Sequence, residues 1–145
     1  MEILNASKSD LEEISQLTGQ ALNEGSVNSY TVDNVKATSL MEKILANNGK
    51  LLVVKESEQL AGWVLFGSQK DGITDEEIGF IYEIYILKNY RKKGFAKRLL
   101  EKCITDLKTQ GLKNVRLVVY KGNKAIQIYE EFGFIENRIV MNKEI

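Results

Sequence analysis

The spacing of apolar residues changes period several times along this chain, and each change marks an element. Glu2 to Asn5 reads as a short first strand. Ser9-Asp10-Leu11-Glu12 has the spacing of a capping box, and Leu11, Ile14, Thr18, Ala21 and Leu22 then recur with helical period. The polar segment Asn23 to Thr31, with Gly25 inside it, reads as a loop. A second helix is expected from about Asp33 to Ala46, with Leu40, Met41, Ile44 and Leu45 inward, stopping at Asn47-Asn48-Gly49. The period then shortens. Lys50 to Lys55 and Leu60 to Gly67 read as a hairpin around the polar turn Glu56 to Gln59. After an acidic loop (Asp71, Asp75, Glu76, Glu77), Ile78 to Leu87 forms a long apolar strand. Ala96, Leu99, Leu100, Cys103 and Leu107 hold one face of a helix that Gly111 stops. Val115 to Tyr120 is a strand, Lys124 to Phe132 a short helix, and Phe134 to Met141 a last strand. The order β-α-α-β-β-β-α-β-α-β predicts one α/β domain over residues 1–145. Its centre is a mixed sheet flanked by helices.

Composition mainly excludes. Twenty basic and twenty acidic residues balance to zero net charge, so nothing global selects nucleic acid or a membrane as partner. No apolar run approaches the ~20 residues that span a bilayer, and the N-terminus lacks a signal-peptide pattern, so a cytoplasmic location is expected. The single cysteine, Cys103, fits a reducing compartment and sits on the apolar face of its helix. There is no histidine, which removes Ser-His-Asp and Cys-His catalysis and leaves no expectation of a metal. Acid–base work would fall to Glu, Asp, Tyr, Lys or water.

The charges at one junction look misplaced. Arg91, Lys92, Lys93 and Lys97 crowd the start of a helix, the positive end of its dipole, where acidic residues are normally favoured. A bound polyanion such as a diphosphate would resolve the conflict, held by free N–H groups at the helix start with Gly94 at the turn. A solvated basic run is the plainer alternative. Reading Lys88 to Lys102 as a nucleic-acid patch is opposed by the zero net charge and by the few aromatics among the basic residues. No Gly-x-x-x-x-Gly-Lys-Ser/Thr loop is present.

Two motifs then combine. Arg91-Lys92-Lys93-Gly94-Phe95-Ala96 resembles the acetyl-CoA signature Gln/Arg-x-x-Gly-x-Gly/Ala of the GNAT N-acetyltransferase superfamily, and Glu83 to Tyr90 resembles the strand that enters it. Ala125-Ile126-Gln127-Ile128-Tyr129-Glu130-Glu131-Phe132-Gly133-Phe134 resembles that family's second motif. The resemblance spans essentially the whole chain and implies a GNAT-like, mostly antiparallel sheet. It implies that backbone N–H groups from Lys92 to Lys97 hold the CoA diphosphate, with Phe95 and Ala96 inside that turn. It further implies that a bulge parts the fourth strand from the fifth. The backbone of Ile84, Tyr85 and Ile86 would then pair with the pantetheine arm, and an N–H there would polarise the thioester carbonyl. Tyr129 matches the tyrosine that protonates the departing thiolate; its i, i+3, i+4, i+7 companions Ala125, Ile128 and Phe132 equally suit a core position. Two positions depart from the pattern. Lys88 stands where proline is frequent, and Gly122 stands where asparagine is usual, with Asn123 one place later as the candidate for its contact.

The acceptor must lose a proton before it attacks. Glu83, a carboxylate in an apolar strand, is the candidate base, directly or through water; facing solvent or pairing with a lysine on the neighbouring strand is the alternative. Acceptor specificity is expected in Asn23 to Thr31, with Tyr30, and in the acidic stretch Asp71 to Glu77. That acidity points to a small polyamine-like or amino-sugar amine over a protein N-terminus. The expected function is direct acetyl transfer from acetyl-CoA to a primary amine of a small-molecule or peptide acceptor. An inactive acetyl-CoA-binding sensor or partner-binding module is the alternative. A homodimer through the edge of the C-terminal strand is a further expectation.

Overall fold

A computed structural model describes residues 1–145. Five strands, β1 (Glu2–Asn5), β2 (Lys50–Glu56), β3 (Gln59–Lys70), β4 (Glu77–Ile86) and β5 (Val115–Leu117), lie side by side in chain order. Neighbours are antiparallel except β4 and β5, which are parallel. Helices α1 (Lys8–Ser15), α2 (Thr18–Gly25) and α3 (Asn34–Ala46) cover one face; α4 (Phe95–Thr109) and α5 (Ile126–Glu131) cover the other. A mixed, mostly antiparallel sheet flanked by helices is the arrangement the sequence predicts.

Both faces of the central strands are buried, which explains their nearly unbroken apolar runs. Leu51, Val53, Trp63, Leu65 and Tyr85 pack under α1–α3, while Leu52, Val54, Val64, Phe66 and Ile81 pack under Leu99, Leu100, Cys103 and Leu107 of α4. Trp63, Phe66, Val53 and Val64 are entirely inaccessible. At about 25 cal/mol per Å² of apolar area removed from water, this two-sided burial is the main stabilising term.

Three elements differ from the periodicity. The first helix divides at Gln16 and Leu17, so that Thr18 opens a separate helix. The division brings Gly19 against the first turn of α3, where an added Cβ would lie 2.7 Å from Asn34 Oδ1. Strand β5 ends at Leu117 rather than Tyr120, because the chain there turns away from β4. Phe134 to Met141 forms no strand. The edge it would join is only three residues long, and Ile135, Ile139, Val140 and Met141 are left exposed.

Ser7, not Ser9, is the cap of α1. Its side chain accepts from Asp10 N–H while Asp10 Oδ2 accepts from Ser7 N–H at 2.8 Å. Asp10 is buried and paired with Lys55 Nζ at 2.9 Å, tying the first helix to β2. Burial alone would raise its pKa; the Ser7 and Lys55 bonds outweigh that and hold the carboxyl below its ordinary range. Asp10→Ala should cost about 2–4 kcal/mol in urea unfolding near pH 7, since it leaves a cap N–H and a half-buried ammonium unpaired. A depressed carboxylate contributes only above its unfolded pKa, so the gap between wild type and variant should close as the pH falls below about 4.

Candidate active site

The site begins with a fault in the sheet. Leu65 pairs with Glu83, but the next residue, Phe66, pairs with Ile81, so Tyr82 is an extra residue in β4. Such a bulge puts two successive side chains on one face. Tyr82 packs toward α1–α3, and Glu83 points the same way, to Thr18 of α2. The pairing of β4 with β5 also stops at Ile81. From Tyr82 to Ile86, β4 therefore has one strand neighbour, and a cleft opens on its other side.

Backbone direction in that cleft follows from one bond. Leu87 N–H donates to Ala61 O of β3 at 2.8 Å. Residues two and four places back, Tyr85 and Glu83, turn their backbone groups the same way, leaving Ile84 and Ile86 to face the cleft. Tyr85 is thus not a cleft backbone residue. Its side chain lies under α2, with its hydroxyl donating to Glu24 Oε1 and accepting from Gln20 Nε2. The Ile86 carbonyl is also taken, by Arg91 Nε at 2.8 Å. Ile84 keeps both its groups for the cleft.

Past the 3₁₀ turn Lys88–Tyr90, the basic run folds into a cradle. Lys92 (φ 64°) and Gly94 (φ 81°) are both left-handed, and Gly94 is the N-cap of α4 with no side-chain cap. The N–H groups of Lys92, Lys93, Gly94, Phe95, Ala96 and Lys97 find no acceptor in the protein. Six successive orphan donors at a helix N-terminus form an anion-binding concavity. A Cβ on Gly94 would meet nothing within 4 Å, so the space before the cradle is open. These backbone groups fit a diphosphate.

The side chains of the run do not face that space alike. Arg91 Nη2 pairs with Glu24 at 2.9 Å, and its guanidinium lies 5.3 Å from the Tyr85 ring centre. Lys93 pairs with Glu56 at 3.1 Å and Lys97 with Glu131 at 3.0 Å. The Phe95 side chain belongs to the core under α4. Asn123 is likewise engaged, donating to Gly25 O at 2.9 Å and accepting from Ala125 N–H at 2.8 Å. It joins the end of α2 to the start of α5.

Glu83 is half-buried. Its two carboxylate oxygens are each 3.2 Å from Thr18 Oγ1, which is inaccessible to solvent. Burial drives its pKa from 4.5 up to about 7, against the smaller downward pull of Thr18 and the nearby Trp63 indole. That indole N–H has no hydrogen-bond partner of good geometry, so it favours the carboxylate by proximity. Tyr129 lies across the sheet under α4, 9% exposed, with Phe134 edge-on at 6.0 Å. Burial pushes its phenol up to about 12. Thr18, Trp63 and Glu24 were not identified from sequence. Thr18 reads there as one more inward position of a helix, and Glu24 as part of a polar loop.

The acidic stretch lies elsewhere. Asp71 accepts from Ile73 and Thr74 N–H and pairs with Arg116, and these bonds, Thr74's first, hold its carboxyl below the ordinary range. It closes the β3–β4 turn. Glu77 begins β4 six residues before Glu83, roughly 20 Å away along a strand. The acidic loop therefore stands at the far end of β4 from Glu83.

Sheet, cleft and cradle together define a class, and comparison with known proteins gives the same one. Residues 10–134 match the model of the acetyltransferase (GNAT) family, and the chain belongs to that family. It is 29% identical over 89 residues to the uncharacterized N-acetyltransferase YycN of Bacillus subtilis, covering 61% of this chain and 56% of that protein. It is 34% identical over 87 residues to the ribosomal protein bS18-alanine N-acetyltransferase of Haemophilus influenzae, covering 60% and 56%. The match thus spans little more than half the length of these relatives. A solved structure from Pyrococcus furiosus, assigned as an acetyl transferase, superposes over 99% of both chains with a TM-score of 0.83 and 27% identity.

The Glu83 carboxyl gives a direct test. Its folded pKa lies above its unfolded one, so the folded state holds the extra proton between about pH 4.5 and 7 and loses stability as pH rises through that window. Glu83→Gln should match wild type near pH 4 and exceed it by on the order of 2–3 kcal/mol at pH 8. Urea titrations across that range measure the gap, and a gap independent of pH would refute the shift.

Proposed function

We propose that the protein transfers an acetyl group directly from acetyl-CoA to a primary amine of a small molecule or peptide. The observation that carries this is the row of six unpaired N–H groups from Lys92 to Lys97, opening on the cleft beside Ile84. Family membership supports the reaction type, and the bS18-alanine N-acetyltransferase among the relatives makes a peptide α-amine one acceptor to test.

Each residue has a part set by its place. The cradle and the helix dipole bind the diphosphate. Ile84 presents an extended backbone along which the pantetheine arm runs, and its N–H is the donor for the acyl oxygen. Acetyl-CoA supplies an activated acyl group when bound. Glu83, with a pKa near 7, takes a proton from the acceptor ammonium at neutral pH. Tyr129 Oη keeps its proton at neutral pH and holds it for the departing sulfur. A covalent enzyme intermediate has no nucleophile here, since Cys103 is inaccessible and burial, with Asp106 adding to it, pushes its thiol up to about 12.

Calorimetric titration with acetyl-CoA, followed by thiol release on a panel of amines, tests the proposal. Micromolar binding with amine-dependent thiol release supports it. Binding without release from any amine would instead favour a sensor module. Gly94→Val should weaken acetyl-CoA binding at least tenfold. It meets no steric contact in the fold, but a β-branched residue resists a positive φ and would fill the cradle. Unchanged affinity would remove the diphosphate from this turn. Tyr129→Phe should lower kcat roughly 10²-fold, as loss of a general acid does, with acetyl-CoA affinity retained. A wild-type kcat would make Tyr129 a core residue only.

A further inference from the structure

One half-buried carboxylate in this protein has no cation. Asp10, Glu24, Glu56, Asp71 and Asp106, the other carboxylates withdrawn from full exposure, each hold a lysine or arginine within 3.1 Å. Glu83 has only the Thr18 hydroxyl as a hydrogen-bond partner, with the Trp63 indole beside it. An anion out of bulk water without a partner is costly, and a group that arrives with a positive charge would remove that cost.

Two tyrosine rings stand on the loops near Glu83. Tyr30, in the loop after α2, and Tyr120, in the loop after β5, meet edge-to-face with centroids 5.8 Å apart, and each is partly exposed. The loop after β5 is tied to the end of α2 by the bond from Asn123 to Gly25 O, and Val27 of the loop after α2 lies 3.9 Å from where a Gly122 Cβ would be. Tyr30 is close enough to Glu83 to feel its charge: burial, then Tyr120 and Glu83, raise its phenol pKa. Aromatic faces beside a lone carboxylate suit an ammonium, which gains from both.

We infer that the acceptor's own ammonium is the counter-ion of Glu83. It enters past Tyr30 and Tyr120 and belongs to a slender primary amine carrying a single positive charge, not to a polyamine. The inference rests on the transfer reading above and names its acceptor class. A second ammonium would find no free anion along this route. Glu24 is committed to Arg91, Asp71 to Arg116, and the acidic loop lies at the far end of β4.

The test compares butylamine with 1,4-diaminobutane, which share a stem and differ by one ammonium. With acetyl-CoA saturating, kcat/KM from thiol release should favour butylamine at least tenfold. Tyr30→Ala should raise the butylamine KM about fivefold, the worth of one cation–π contact, leaving kcat and acetyl-CoA affinity near wild type. Tyr30→Phe should restore the KM, because the ring and not the hydroxyl is needed. Independently of turnover, butylamine added to the CoA complex should saturably change Trp63 fluorescence in wild type and not in Glu83→Gln. Equal or better use of the diamine, or a KM indifferent to Tyr30→Ala, overturns the inference and leaves the transfer reading intact. A wild-type protein that does not bind acetyl-CoA overturns both.

Discussion

The extra residue in β4 is the constraint on which the rest of the site depends. Gly79 and Ile81 face α4, and strict alternation would send the Glu83 side chain to the same side, among Leu99, Leu100 and Phe95. A carboxylate there would have neither Thr18 nor a route to solvent. With Tyr82 inserted, Glu83 turns to the α2 face instead, and Ile84 and Ile86 turn their side chains to the α4 core. The same irregularity strengthens the local twist, and β4 loses β5 directly before it. One inserted residue thus aims the carboxylate and accompanies the opening of the backbone that faces it.

The basic turn shows how a charge conflict is settled without surrendering the helix terminus. Three of the cations that crowd the start of α4 are drawn sideways, Arg91 to α2, Lys93 to β2 and Lys97 to α5. Exposed pairs of this kind are each worth about 0–1 kcal/mol, too little to hold the fold together. Their effect is positional. They keep long side chains out of the space in front of Gly94, where the N–H groups converge, while leaving the region positive. Arg91 does more than its neighbours. It closes the Ile86 carbonyl, covers the Tyr85 ring and holds Glu24, so it ties the end of β4 to the end of α2.

Local periodicity made the order of elements, the two-layer cover of the sheet and the place of the Gly94 turn legible in the sequence, because each depends on residues a few positions apart. What escaped depends on distant partners. Arg91 meets Glu24 across 67 positions and Asn123 meets Gly25 across 98, so their engagement in ties between elements has no local sign. The break at Leu17 is hidden because an apolar stripe continues through it. The acidic loop stands before β4, where the sequence places it, and the length of that strand sets its distance from Glu83. The final strand failed on the other side of the pair, since Phe134 to Met141 has the residues of a strand and β5 lacks the length to receive it.

Tyr129 satisfies both readings of its pattern, and the energetics show why they need not compete. Its ring fills the core under α4, while its hydroxyl, bonded to nothing in the protein, is not sealed from the surface. A phenol pushed up to about 12 looks like a poor donor to a thiolate, whose ordinary pKa is near 8.5. Desolvation, however, acts on both groups with the same sign. Cys103, on the same side of the sheet, shows what burial does to sulfur here: its thiol is also pushed up to about 12. Burial likewise raises the basicity of a thiolate that leaves in such surroundings. The phenol's weaker acidity and the thiolate's stronger basicity then offset each other. The core packing that makes Tyr129 look structural is, on this argument, what would fit it for the proton transfer proposed for it.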